Sequence, residues 1–312
     1  MGCPMIPTLK QLRYFVTLVD AGQFGLAAAR VHVTQPALSL QIKELETTLG
    51  ARLIDRLPRE IRLTRAGAEV LGRARRILAE VEDLQQAVRW TGGLAGRLQL
   101  GVIPTVAPYL LPLALTRIRS RDLTLALRVR EAQTTVLLDL LRRGQLDAIV
   151  VALPVVGEGL MASPLFEDRF LLAGSTARLA VWADGAETLR PQQVSADQLL
   201  LLDEGHCLAD QALEVCGIPA RRQVDLGASS LSTLCGLVAG GFGLTLLPEL
   251  AVRTETAAAP HLALLRFTAP EPSRTLALVR RAGSTDDGWV GDLAEILRAA
   301  GQELLNHART SV

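Results

Sequence analysis

One short stretch, Asp203-Glu204-Gly205-His206-Cys207-Leu208-Ala209-Asp210-Gln211-Ala212-Leu213-Glu214-Val215-Cys216-Gly217, gathers the residues best suited to covalent chemistry. His206 directly precedes Cys207, and Asp210 and Gln211 follow it at three and four residues, the offsets that share a helix face. If a helix begins here, donors and acceptors surround one sulfur, an environment able to hold a thiolate. Cys216 lies nine positions beyond Cys207. Two thiols so arranged in a cytosolic chain are redox-active or metal-binding more often than they are a structural staple. On spacing alone three readings stand. The cysteines form a redox switch, or they are small buried hydrophobes among Leu208, Ala212, Leu213 and Val215, or His206, Cys207 and Cys216 bind a metal, for which no tight C-x-x-C pair speaks.

The chain that must position these groups has 312 residues, enough for two or three domains. Hydrophobic residues make up 49% of it, yet no uninterrupted apolar run reaches membrane-spanning length and Met1-Gly2-Cys3-Pro4 does not begin a signal peptide. A cytoplasmic protein with no membrane association is expected. The net charge of +1 is unevenly spread: residues 1–90 hold 13 Lys and Arg against 9 Asp and Glu, and the remainder holds 20 against 23. That asymmetry favours an N-terminal nucleic-acid module.

Leu12, Phe15, Val16 and Val19 follow helical spacing from Leu9, and Gly22 stops the helix. A short second helix is expected near residues 26–31. Thr34 then caps a third, with Gln35 and Pro36 in its first turn, Leu38, Ile42, Leu45 and Leu49 as its buried stripe and Gly50 at its end. This is the pattern of a helix-turn-helix whose second helix enters the DNA major groove. Thr34, Gln35, Pro36, Ser39 and Lys43 are the candidates to meet bases or phosphates. Arg56, Arg59 and Arg62, around Pro58, suit a wing lying along the phosphate backbone. Beyond Thr64, the steps between Val70, Ala74, Ile77, Val81, Leu84 and Val88 alternate four and three, the seam of a dimerising coiled coil. Thr91-Gly92-Gly93 marks the clearest boundary. After it, strands expected at residues 97–102, 123–129 and 146–151 alternate with helices at 108–120 and 135–144, which indicates an α/β sheet. Such a sheet puts ligand groups at the carboxyl ends of its strands, near Thr105 and Thr134. A second α/β lobe begins with strands at 170–173 and 199–202, and a strand near 275–280 precedes the last helix.

Val33-Thr34-Gln35-Pro36-Ala37-Leu38-Ser39-Leu40-Gln41-Ile42-Lys43-Glu44-Leu45-Glu46 resembles the recognition helix of LysR-type transcriptional regulators. Leu40 departs from the Arg or Gly common there, and Gly25-Leu26 replaces a more usual polar pair. His206 to Ala212 with Cys216, Gly101 to Pro112, Glu131 to Thr134 and Gly243 to Pro248 resemble, in order, the hydrogen-peroxide-responsive members of that family. The resemblance implies a winged helix-turn-helix over residues 1–66, a linker helix over 67–94 and a two-lobed α/β effector domain over 95–312. That domain resembles the type II periplasmic binding proteins, with lobe I formed by 95–169 and 271–312 and lobe II by 170–270.

The same resemblance implies Cys207 as the thiol that meets peroxide and Cys216 as the thiol that resolves it. Thr105, Thr134, His206, Asp210 and Arg274 line the peroxide pocket, Arg274 by a charge that favours thiolate. It further implies double-stranded promoter DNA and hydrogen peroxide as partners, a homotetramer built as a dimer of dimers, RNA polymerase, and a thiol reductant such as glutaredoxin or thioredoxin. No cofactor or metal is expected. Ala209 and Cys235 stand where relatives often carry Arg, and Cys3 lies on an N-terminal extension; neither Cys3 nor Cys235 is given a role. Two alternatives remain, a LysR-type regulator driven by a small organic effector between the lobes, and a thiol peroxidase. If residues 208–215 are helical in the reduced protein, the two cysteines lie roughly 13 Å apart on opposite faces, so a disulfide requires local unwinding.

Overall fold

The computed structural model describes residues 6–56, 60–87, 97–121, 125–155, 157–183, 189–219, 227–284, 286 and 288–311. Cys3, Pro58, Arg59, Val88 and the Thr91-Gly92-Gly93 boundary lie outside them. The chain divides into two compact units, one of residues 1–88 with 142–145, the other of 89–141 with 146–312.

In the first unit, α1 (Leu9–Ala21), α2 (Phe24–Arg30) and α3 (Gln35–Leu49) precede a two-stranded antiparallel ribbon of β1 (Ile54–Arg56) and β2 (Ile61–Leu63) and the long α4 (Arg65–Ala87). Local chemistry sets the helix ends. Thr8 and Gln11 form a reciprocal capping box on α1, and Gly22 closes it in the left-handed conformation with φ 69°. Thr34 Oγ1 accepts the Ala37 amide at 3.4 Å to start α3, and Gly50 ends it at φ 66°. Thr64 Oγ1 accepts the Gly67 amide at 2.9 Å at the head of α4. Phe15, Leu18, Leu38, Ile42, Leu45 and Leu53 form the fully buried centre. The apolar stripe of α4 divides between two surroundings. Val70 and Ala74 pack into this core, whereas Ile77 and Leu84 are exposed.

The second unit begins with β3 (Arg97–Val102), α5 (Ala107–Arg121), β4 (Ala126–Glu131), α6 (Thr134–Arg142) and β5 (Ala148–Ala152). The strands pair in parallel with β3 in the centre, so each connection crosses over through a helix. All five residues of β5 are buried, as a strand covered on both faces requires. β4 starts three residues later than the alternation of residues 123–129 suggests, and residues 122–124 lie outside the described part.

The elements that follow are β6 (Leu160–Ser175), α7 (Thr176–Ala183), β7 (Leu201–Leu202), α8 (Cys207–Cys216), β8 (Gly227–Ala228), α9 (Leu231–Ala239), β9 (Thr245–Pro248), α10 (Val252–Ala258), β10 (Leu262–Arg266), β11 (Ser273–Arg281) and α11 (Trp289–Ser311). The 16-residue β6 joins β9, β10 and β11 to the first strands in one sheet of order β10-β6-β11-β5-β3-β4, with β9 also on β6, while β7 and β8 pair in parallel as a separate ribbon. Its residues Leu160 to Arg169 pair with β11, and from Phe170 onward it pairs instead with β9 and β10. The change of partner falls between Arg169 and Phe170, and the chain returns to the first partner at Ser273. Packing of α11 against β6 depends on Gly301, where an added Cβ would lie 2.1 Å from Phe166 Cε1. Among the described residues no helix is long and apolar enough to cross a membrane.

Candidate functional site

Helix α8 carries both cysteines, one at each end. Gly205, at φ 91°, supplies a turn that L side chains resist, and His206 takes the N-cap position with extended backbone. Cys207 is the first helical residue and Cys216 the last. Gly217 then adopts φ 65°, its amide reaching the Leu213 and Glu214 carbonyls, while the Ile218 amide donates to Leu213 O at 2.9 Å. This left-handed stop ends the helix sharply. Leu208, Ala209, Ala212, Leu213 and Cys216 face the core.

The two thiols differ in surroundings. Cys207 is half-buried at the helix N-terminus, where unpaired backbone amides give a partial positive charge. Cys216 is 4% exposed, and burial pushes its thiol up to about 11. Cys235 in α9 is fully buried; burial, then the charge of Glu255, raises it further. Nine helical rises separate the Cα atoms of Cys207 and Cys216 by roughly 13 Å, against a limit of about 7 Å for a disulfide. Both thiols are free. With α8 intact they cannot ligate one metal ion with His206, and among the described residues no three His, Cys, Asp or Glu side chains gather as ligands.

A hydrogen bond joins the segment entering α8 to the segment entering α6. Gln133, just before α6, donates from Nε2 to the Glu204 carbonyl at 3.2 Å. Its amide group lies so close to Gly205 that an added Cβ would sit 2.5 Å from Oε1, a second reason for glycine there. Gln211, one helical turn after Cys207, lines a cavity of about 620 Å³ with Glu214, Val215, Phe170, Pro154 and Arg274. Gln211 Oε1 and Thr134 Oγ1 are buried without a hydrogen-bond partner among the described residues. Small polar guests meet such atoms.

Arg274 is the centre of a buried cluster. Its Nε and Nη2 donate to Asp168 Oδ2 at 3.0 and 2.9 Å, Nη1 donates to Thr105 Oγ1 at 3.0 Å, and Nη2 reaches the Thr105 carbonyl at 3.3 Å. The Leu250 amide occupies the other Asp168 oxygen at 2.9 Å. Asp168 and Arg274 are register partners on β6 and β11, so the pair bridges strands one residue before β6 changes partners. Burial raises the Asp168 carboxyl above the usual carboxylate range, opposed in part by the Arg274 guanidinium and the Leu250 amide. The Asp168 oxygens thus take donors from a side chain and from a backbone amide. A second buried bridge joins Tyr109 of α5 to Glu255 of α10 at 2.6 Å, with Ser232 of α9 on the same oxygen at 2.9 Å. Desolvation, then Glu255, pushes the Tyr109 hydroxyl far up.

Of the expected pocket residues, Thr105 and Arg274 are in direct contact, His206 adjoins Cys207 as the buried N-cap, and Thr134 opens α6 beside Gln133. Asp210 is exposed on the first turn of α8. The charge of Arg274 is already met by Asp168, because a guanidinium this buried requires a counter-ion. Sequence reading gave Asp168 and Gln133 no role, and placed Gln211 only as a polar group on the Cys207 face of the helix. The available signal at Asp168 was the charged run Glu167-Asp168-Arg169 between apolar stretches of one strand.

On the first unit, Thr34, Gln35, Pro36 and Lys43 are exposed along α3 and Ser39 is half-buried. Thr34 spends its oxygen on capping. Arg62 is exposed on the ribbon, 3.6 Å from Asp55, and Arg56 ends β1.

Comparison with known proteins places these features in context. Residues 9–68 match the model for the bacterial regulatory helix-turn-helix protein, lysR family, and residues 91–302 match the LysR substrate binding domain. A probable hydrogen peroxide-inducible genes activator from Streptomyces viridosporus is 41% identical over 305 residues, covering 96% of each chain. Full-length OxyR from Pseudomonas aeruginosa, solved as a cysteine-to-aspartate variant, is 34% identical with a TM-score of 0.72 and covers 94% of this chain and 98% of its own. A cysteine-to-serine mutant of Corynebacterium glutamicum OxyR with hydrogen peroxide bound is 35% identical with a TM-score of 0.63, covering 98% of both chains.

Removing the negative partner of a buried pair leaves the other charge uncompensated. Asp168→Asn is therefore expected to lower unfolding stability by about 3–5 kcal/mol, read as a shift of the urea midpoint of the full chain. An unchanged midpoint would show that Arg274 does not rely on Asp168.

Proposed function

The chain belongs to the LysR family of bacterial transcription regulators, and on that premise we propose that it is a hydrogen-peroxide sensor whose switch is a disulfide between Cys207 and Cys216. It is a regulator rather than an enzyme. The observation that carries the reading is that the two cysteines begin and end a single helix, one half-exposed at its positive end and the other buried as a thiol. The relatives' names support the choice of oxidant.

The chemistry balances without a cofactor. The Cys207 thiolate attacks one peroxide oxygen, the O–O bond breaks, and the departing hydroxide takes a proton to leave as water. Cys207 is then a sulfenic acid. The Cys216 sulfur displaces its hydroxyl, which leaves as a second water, and the S–S bond forms. A thiol reductant such as glutaredoxin or thioredoxin returns both sulfurs to thiols. Gln133, Thr134 and Gln211 supply polar atoms toward the reacting end of α8, while Thr105, Asp168 and Arg274 fix the strands across the cavity that Gln211 lines.

On DNA, residues 1–66 act as a winged helix-turn-helix in which Gln35, Ser39 and Lys43 of α3 approach promoter bases, while Arg56, Arg59 and Arg62 approach the backbone. Residues 67–94 form the dimerising linker; the exposed Ile77 and Leu84 support this, since an apolar stripe of that kind finds a partner helix. Residues 95–312 sense the oxidant, with lobe boundaries at 169/170 and 270/271. The assembly is a dimer of dimers that signals to RNA polymerase. A second reading, control by a small organic effector, has the cavity of about 620 Å³ in its favour.

Reduced full-length protein treated with one equivalent of peroxide and mapped by mass spectrometry is expected to carry the Cys207–Cys216 bridge. Cys207→Ser is expected to abolish the response, and Cys216→Ser to leave a trappable sulfenic acid at Cys207. Primary oxidation at Cys216, Cys235 or Cys3 would overturn the assignment, and a full response in Cys207→Ser would favour the organic effector. For the DNA face, Gln35→Ala and Ser39→Ala are expected to lose about 1–3 kcal/mol per base contact in specific binding; unchanged affinity for the specific site would remove α3 from the interface.

A further inference from the structure

Helix α3 completes its inner stripe with Leu38, Ile42 and Leu45, all fully buried, so the core makes no demand on its outer face. Leu40 is nevertheless apolar on that outer face and 56% exposed. It borders a groove of about 500 Å³ between α3 and the segment that enters α1, lined also by Ile6, Thr8, Lys43, Glu44 and Thr47. The polar neighbours are unequally available. Glu44 Oε2 accepts from Gln41 Nε2 at 2.7 Å and from Gln11 Nε2 at 3.4 Å, which occupies Gln41 within the protein. Thr34 is committed to its cap. Leu40 therefore stands on the outer face opposite the buried stripe, next to the exposed Lys43 and on its side away from Ser39 and Gln35.

In the major groove one base differs from the others by an apolar group, the 5-methyl of thymine, which apolar side chains contact directly. We propose that Leu40 is a specificity-determining residue that packs against a thymine methyl in each half-site. The inference rests on α3 being the DNA-reading helix. Lys43, three residues on, holds the nearby phosphate or base edge and keeps Leu40 at groove depth.

The test uses the full-length protein and a duplex selected by its own specific binding, at one fixed salt concentration, since phosphate contacts make affinity salt-dependent. Thymines are replaced one at a time by uracil, which removes only the methyl. At one position per half-site the native protein is expected to lose roughly fourfold in affinity, the value of one buried methyl-sized group. Leu40→Ala should bind the thymine duplex more weakly and no longer distinguish uracil there, with its sensitivity elsewhere unchanged. Leu40→Met, which keeps an apolar contact, should retain the discrimination, so a folding defect in the alanine variant does not hide the result. A uracil scan flat at every position, or one whose profile is the same in Leu40→Ala, overturns the proposal. So does a Leu40→Ala protein that loses affinity equally on all duplexes with an altered oligomeric state, which would make Leu40 a protein contact. Failure of the native protein to prefer any duplex overturns instead the reading of α3 on which the proposal stands.

Discussion

A ten-residue helix holds its first and last side chains farther apart than a sulfur–sulfur bond can span, and in this protein those side chains are Cys207 and Cys216. The reduced thiols are thereby kept from each other by backbone hydrogen bonds rather than by distance in the sequence. The proposed switch asks that this helix be stable when reduced and able to come apart when oxidised. Its inner face buries Leu208 and Leu213, each contributing about 1.5–3 kcal/mol, and its two ends are glycine turns with positive φ. A segment closed by such turns has defined ends at which it can come apart without dragging its neighbours.

The sheet of the second unit and the helices beside it are held by charges taken out of water. Arg274, Asp168 and Thr105 lock β11, β6 and the end of β3 at the point where β6 exchanges one set of strand partners for another. Tyr109, Ser232 and Glu255 make a second buried junction between α5, α9 and α10. Such groups resist separation because a lone buried charge is costly. The helix that carries the thiols is fastened more lightly, by apolar packing, by a hydrogen bond from Gln192 to the Val215 carbonyl at 3.3 Å and by one from Gln133 to Glu204, just before the helix, at 3.2 Å. A rigid sheet with one replaceable element is the arrangement by which a local covalent change becomes a change of surface.

What could be read from sequence was what neighbouring residues decide. Thr34, Thr64, Gly22, Gly50 and Gly217 terminate helices through contacts within a few positions, and the outward residues of α3 follow from its period. The α/β character of the second unit came from strand and helix segments alternating along the chain, and its two-lobed arrangement from a resemblance. The partners of Arg274 and Gly205 were not legible. Asp168 is 106 residues from Arg274, and Glu204 is 71 from Gln133, so no local pattern records either meeting. The stripe of α4 was visible but not its division, because Val70 and Ala74 serve the domain they leave while Ile77 and Leu84 do not.

The dependence of the switch on the α8 helix is tested most directly by amide hydrogen exchange over residues 208–215 in the full-length protein, reduced and after stoichiometric peroxide. Protection is expected throughout α8 in the reduced protein and lost across it once the Cys207–Cys216 disulfide has formed, while β5 and β11 remain protected. Retained protection across α8 in protein shown by mass to carry that disulfide would contradict the mechanism.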